Sequence, residues 1–199
     1  MPLLYACSSN PGKLREFIFT ADHSPVDGFT IEALPNLASL PPPIEDGSTY
    51  EENAALKAVY YSRHASELVF ADDSGLEVAA LGGAPGVHSA RYAGPHATGS
   101  ENNARLLREL TRKGDRQARF VTAISLARLG TVLHTSIGTA EGEILAEPRG
   151  SLGFGYDSLF LFPPMARTFA QIGEAEKFTV SARGEAFRKL LDWLSKNLI

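Results

Sequence analysis

Apolar positions along this chain fall into short blocks whose period changes, and the blocks alternate between strand and helix signals. Leu3-Leu4-Tyr5-Ala6-Cys7 and Leu68-Val69-Phe70-Ala71 are compact apolar runs bounded by polar residues, the pattern of buried strands. After the first run, Leu14, Phe17 and Ile18 recur at i, i+3, i+4, which predicts one face of a helix. Pro41-Pro42-Pro43 is stiff extended chain leading to a helix start. There, Ser48 with Glu51 or Thr49 with Glu52 forms a capping box, and the helix runs to about His64. A glycine-rich passage over 82–94 reads as irregular. A helix follows over 101–111, with Ala104, Leu107 and Leu110 on one face. Residues 120–127 and 132–140 predict an antiparallel hairpin turning at Gly130, extended by Gly142-Glu143-Ile144-Leu145. Another strand is expected over 159–162. In the last segment Phe187, Leu190, Leu191 and Leu194 make the apolar stripe of a core helix.

Composition narrows the class. A chain of 199 residues supports one substantial core, at most divided into two lobes. Its 44% hydrophobic and 21% charged content is that of a soluble globular protein. A net charge of -4 argues against a general nucleic-acid surface, which needs an excess of Lys and Arg, but leaves room for anionic ligands where positive charge is concentrated. The single cysteine, Cys7, excludes an internal disulfide, lies in an apolar strand as a small filler, and no Cys/His cluster suits zinc. Neither a signal peptide nor a membrane-length apolar run is visible, so a cytoplasmic location without a membrane partner is expected.

Four segments carry candidate chemistry. Asp72-Asp73-Ser74-Gly75 directly follows the run ending at Ala71 and reads as a turn beyond a strand's carboxyl end, where ligand groups gather. Two adjacent carboxylates suit a hard divalent cation with one left to activate water; equally, they suit a plain turn capped by its own aspartates. Ser8-Ser9-Asn10-Pro11-Gly12-Lys13 joins a strand to a helix start, which makes either a phosphate cradle or an ordinary helix turn with a solvated lysine. It lacks the glycine spacing of a Walker A loop. On the helix beginning near Thr49, Asn53 and Lys57 lie one turn apart. Gly153-Phe154-Gly155-Tyr156-Asp157 flanks an aromatic ring with glycines, as a stacking platform for a planar ligand or as core beside a bulge. Lys177 and Arg183 are free to be surface charges.

Taken in order, these segments resemble the inosine triphosphate pyrophosphatase family. The resemblance is carried by the 8–13 segment, Glu45-Asp46-Gly47-Ser48-Thr49 with Asn53-Ala54 and Lys57, and Ala71-Asp72-Asp73-Ser74-Gly75-Leu76. It continues through Gly82-Gly83-Ala84-Pro85-Gly86-Val87 with Ser89-Ala90-Arg91-Tyr92, then 153–157 and Ser181-Ala182-Arg183-Gly184. It implies a single α/β domain over 1–199, bilobed, with a long mixed β-sheet flanked by helices, a groove between lobes, and a homodimer. The implied reaction is hydrolysis of deaminated purine nucleoside triphosphates (ITP, dITP, XTP) to the monophosphate and pyrophosphate, assisted by Mg2+. Mapped onto this chain, Ser8, Ser9, Asn10, Pro11, Gly12 and Lys13 hold the triphosphate with Lys57. Glu45 and Asp73 serve the metal, Asp73 is also the proton acceptor, and Ser74 touches substrate. Phe154, with Gly155 and Tyr156 beside it, stacks on the purine, and Asp157, Lys177, Ala182 and Arg183 complete the nucleoside pocket. Asp72 supports its neighbour.

The chain departs from the family pattern at three places. Ala182 stands where a histidine is usual, Glu185 where a lysine is common, and Ser158 where a proline is common. Losing one hydrogen-bonding partner costs roughly 1–3 kcal/mol, which bears on base selectivity more than on hydrolysis. Two further readings stand beside the leading one: the same hydrolysis with broadened or shifted base preference, and a non-catalytic nucleotide-binding sensor.

Overall fold

The computed structural model describes residues 3–8, 10–26 and 28–198. Its strands form one seven-stranded mixed sheet in the order β2-β1-β3-β4-β5-β6-β7, and the chain divides into two compact units.

The first unit comprises Met1–Asp73, Thr122–Gly138 and Ala182–Ile199. In it β1 (Leu3–Ala6) lies between β2 (Thr30–Ala33) and β3 (Leu68–Val78), parallel to both, with Ala6 level with Ala33 on one side and Phe70 on the other. Parallel neighbours need crossover connections. α1 (Pro11–Asp22) links β1 to β2, and α2 (Tyr50–Ser62) precedes β3. Asn10 caps α1 by accepting from the Gly12 N–H, and Pro11 occupies the first turn, where its missing N–H costs nothing.

The buried arc of α1 is not the one the spacing predicts. Phe17 is buried and Leu14 packs on the core, but Ile18 is 38% exposed, and Glu16 and Thr20 are buried instead. Glu16 faces inward because Arg183 meets it there. At α2 only half of the second capping box forms. Thr49 accepts from the Glu52 N–H, while the Glu52 carboxylate reaches one residue further back, to the N–H and hydroxyl of Ser48.

α5 (Ala182–Asn197) carries the expected stripe: Phe187, Leu190, Leu191 and Leu194 are fully buried. They pack with Leu4, Ala6, Phe17, Phe70 and Ile124. The hairpin also forms: β4 (Gln117–Arg128) and β5 (Thr131–Ile144) are joined by Leu129 and Gly130 alone, a link only antiparallel strands permit. The Gly130 N–H donates to Ser62 at the end of α2.

The second unit comprises Ser74–Val121 and Thr139–Ser181. β6 (Phe160–Phe162) pairs antiparallel with β5, and β7 (Arg167–Thr168) with β6. Phe160 anchors an aromatic cluster, 4.6 Å from Phe120 and 4.9 Å from Phe169 between ring centres. A short 3-10 turn at Ala79–Leu81 precedes the glycine-rich passage, which holds another at Gly86–Arg91. α3 (Gly99–Glu109) opens with a Thr98–Glu101 capping box. It buries Asn102, Leu106 and the adjoining Leu110, whereas Ala104 is exposed and Leu107 half-buried. The helix is rotated from its apolar spacing because the Asn102 carboxamide bonds the backbone of Ala90 and Ala93. Ser181 alone separates α4 (Glu174–Val180) from α5.

One expectation is overturned in a way that shapes the site. β3 does not stop at Ala71 in a turn; it runs on through Asp72, Asp73, Ser74 and Gly75 to Val78. Both aspartates stay in the strand because each finds cations there.

Phe187 joins α1, β3 and α5, with ring centres 4.9 Å from Phe17 and 5.2 Å from Phe70. Replacing it with alanine removes a fully buried ring, so Phe187→Ala should lower stability by about 3–5 kcal/mol in urea unfolding.

Candidate active site

Successive strand residues point to opposite faces, and β3 applies that rule to its two aspartates. Leu68 and Phe70 pack against α1 and α5, while Val69 and Ala71 pack with Tyr61 and Ala58 of α2. Continuing the alternation, Asp72 meets residues of α1 and α5, and Asp73 meets residues of α2. The two carboxylates therefore do not act together at one place, one on a cation and the other on water. Asp73 is grouped instead with Glu45, from the loop before α2.

On the first face, Asp72 is buried and accepts from Lys13 at 2.8 Å and Arg183 at 3.3 Å, while Arg183 also donates to Glu16 at 2.6 Å. Burial alone would raise the Asp72 pKa. Lys13, Arg183 and Lys57 overcome it and hold the carboxyl well below the usual range. For Arg183 burial is likewise outweighed, by Glu16 and Asp72, and its pKa rises further. Lys13 shares its carboxylate, so burial, with Arg183 and Lys57 nearby, lowers its pKa. Beside this group, Ser8 Oγ accepts from the Asn10 N–H, leading into the amino terminus of α1.

On the second face, the Lys57 ammonium bridges Glu45 at 2.8 Å and Asp73 at 3.2 Å. Burial would lower the Lys57 pKa, but Asp73, Asp72 and Glu45 raise it. Asp73 is raised above an ordinary carboxylate by burial, with Glu45 adding to it and Lys57 and Asn53 offsetting in part. Two carboxylate oxygens already converge on one positive charge, so the donor set fits a hard cation. Among the described residues no group of three or more His, Cys, Asp or Glu is gathered to hold a metal. Glu45 and Asp73 are the carboxylates that would hold a metal here.

The second unit holds a separate cluster. Lys177 donates to Asp157 at 2.5 Å, and its ammonium lies 5.1 Å from the centre of the Phe154 ring. Asp157 also accepts from the Phe154 N–H. Gly153 has φ +72, and a side chain there would strike Asp157 Oδ2 at 2.1 Å, so this loop requires glycine. Phe154 is 49% exposed, as a stacking platform requires, and Gly155 is exposed beside it. Tyr156 is core instead: it is buried, and its hydroxyl donates to the Ser89 carbonyl.

The structure thus brings Lys13, Glu45, Lys57, Asp73 and Arg183 into the first unit, with Ser8, Asn10, Pro11 and Gly12 at the start of α1. Phe154, Gly155, Asp157 and Lys177 belong to the second, as does Ser74, the next residue of β3. Ser9 lies outside the described residues. Ala182, at the usual histidine position, is buried, and its carbonyl lies so close to β5 that a side chain on Gly138 would meet it at 2.1 Å. Glu16 escaped the sequence reading. Its signal was a charge beside Phe17, within the arc a helix buries.

The sequence profile of the Ham1 family matches residues 4–193. The chain belongs to the Ham1 family. It is 45% identical to a dITP/XTP pyrophosphatase of Syntrophobacter fumaroxidans, over 96% of this chain and 84% of that protein. It is 46% identical to the dITP/XTP pyrophosphatase of an Exiguobacterium species, over 94% of each. A solved HAM1 protein from Coxiella burnetii superimposes with a TM-score of 0.88 at 37% identity, covering 98% of this chain and 100% of that one.

In this Ham1 chain the depressed Asp72 carboxyl has a consequence for stability. Its folded pKa lies below the unfolded value of about 3.9, so its contribution is complete above that value and drains away as the pH falls toward the folded one. Asp72→Asn removes the charge that Lys13 and Arg183 share, and should cost about 3 kcal/mol at neutral pH. The gap between parent and variant should narrow between about pH 5 and pH 2, as read by urea unfolding across pH.

Proposed function

We propose that this chain is a nucleoside triphosphate pyrophosphatase, hydrolysing deaminated purine nucleoside triphosphates (ITP, dITP and XTP) to the monophosphate and pyrophosphate and so cleansing the nucleotide pool. The observation that carries the chemistry is the Glu45–Lys57–Asp73 group. It combines a base candidate with a raised pKa, a second carboxylate and a cation, in the same unit as Lys13 and the amino terminus of α1. The substrate class follows the relatives named above.

In this reading Lys13 and the amino terminus of α1 bind the phosphates, because the helix dipole and the lysine charge favour an anion there. Lys57 adds a second positive charge. Asp73 takes the proton of the attacking water, a task that a raised carboxyl pKa suits. Glu45 and Asp73 hold Mg2+, which when bound supplies Lewis-acid neutralisation of phosphate charge. Base recognition by Phe154, Asp157, Lys177 and Arg183 draws its support from the family resemblance, together with the open ring of Phe154 and the anchored guanidinium of Arg183. A homodimer and a cytoplasmic location belong to the same reading. The net charge of -4 supports the absence of a nucleic-acid partner. Among the described residues no helix is long and apolar enough to cross a membrane.

Pyrophosphate release measured with Mg2+ across inosine, xanthosine, guanosine and adenosine triphosphates tests the proposal. Inosine and xanthosine triphosphates should lead; equal rates on all four would remove the base selectivity, and no pyrophosphate at all would remove the activity. Asp73→Asn should fold normally yet lose about 10²–10⁴-fold in turnover, since an amide cannot accept the proton. Lys13→Ala should weaken every triphosphate to a similar degree, because phosphates carry no information about the base. A strongly base-dependent loss would take Lys13 away from the phosphates.

A further inference from the structure

Asn53 is a polar residue only 1% exposed, in the first turns of α2, and its carboxamide is committed at both ends. Its Oδ1 accepts from the Gly47 N–H at 2.9 Å. A backbone N–H can meet only the oxygen of an amide, so this bond fixes which way the group points. Nδ2 then donates to Asp73 Oδ2 at 3.3 Å and toward the Gly47 carbonyl at 3.4 Å. Lys57, one helical turn on, takes the other Asp73 oxygen, Oδ1, at 3.2 Å. Two side chains of one helix therefore hold the two ends of a single carboxylate.

The same amide grips the loop that presents Glu45, since Gly47 is two residues further along the chain. The approach is tight. A methyl group on Gly47 would lie 2.7 Å from Asn53 Oδ1 and 2.8 Å from Glu52 Cβ. One buried carboxamide thus sets both the rotation of Asp73 and the distance from its strand to the Glu45 loop.

We infer that Asn53 is a positioning residue for hydrolysis: it orients the Asp73 carboxylate and keeps the Glu45 loop in register with it. The inference rests on the role given to Asp73 above. A displacement near 1 Å at a reacting group costs about 10²-fold in rate, so a clamp of this kind should act on turnover and leave triphosphate binding alone.

The test measures kcat and KM for inosine triphosphate, with Mg2+, in Asn53→Asp, Asn53→Ala and Gly47→Ala. Asn53→Asp keeps the shape and an acceptor for the Gly47 N–H, but turns an oxygen toward Asp73 where a donor belongs. It should lower kcat by about 10–100-fold with KM held within about 3-fold. Asn53→Ala should show the same split. Gly47→Ala leaves every side chain of the site in place and should lower kcat in the same manner, about 10-fold, which carries the test if both position-53 variants unfold. Combined with Asn53→Ala, its effect should be less than multiplicative, because the clash with Asn53 Oδ1 is gone and only the contacts with Glu52 Cβ and the Asn53 backbone remain. Folded Asn53→Asp with parental kcat overturns the inference, as does a loss that falls on KM, or parental kcat in Gly47→Ala. Asp73→Asn in the same assay separates the two levels. If that variant keeps full activity, the role of Asp73 fails; if it is inactive while the Asn53 variants turn over normally, only the role of Asn53 fails.

Discussion

A strand cannot send two consecutive side chains the same way, and the chemistry of this protein follows from that restriction at Asp72 and Asp73. Because β3 continues through them, one carboxylate enters the layer of α1 and α5 and the other the layer of α2. Each helix layer answers with its own cation, Lys13 and Arg183 for the first, Lys57 for the second. The two aspartates thereby acquire opposite characters. Asp72 is held ionised by surrounding cations, while Asp73, less compensated, is pushed toward holding a proton. Pairs of titratable groups driven apart in this way mark the division between a fixed charge and a proton carrier.

How far the sequence disclosed this depended on where each signal lay. The α5 stripe was legible because Phe187, Leu190, Leu191 and Leu194 repeat strictly at helical spacing and each is buried. The hairpin was legible because Gly130 marks a turn between two apolar runs. The continuation of β3 was not, since Asp-Asp-Ser-Gly has the local chemistry of a turn and its strand state is stabilised by residues far along the chain. Lys13 is 59 residues from Asp72, and Arg183 is 111. The burial of Glu16 and Asn102 was hidden for the same reason: both look like solvent-facing residues until the groups that meet them are in view. The candidate residues stood out in the motifs, but their grouping did not, because which face a side chain takes depends on whether the strand continues.

The charges on the two faces are nearly matched. Lys13, Lys57 and Arg183 stand against Glu16, Asp72, Asp73 and Glu45. Burying so many ions gains little stability over an apolar core of the same volume, since desolvation consumes most of the attraction. What the arrangement does provide is a set of charges whose positions are fixed by one another within the fold.

The Glu16–Arg183 contact joins residues 167 positions apart, and the second of them opens the last helix. Closing a loop of that length carries an entropic cost that must be met before the contact gives anything back. During synthesis, Glu16 and Asp72 emerge long before their shared guanidinium exists. A nascent chain still short of α5 lacks the guanidinium that meets Glu16, while Asp72 has Lys13 alone of its two cations. The charge group on the face of α1 and α5 is therefore complete only once α5 has been made.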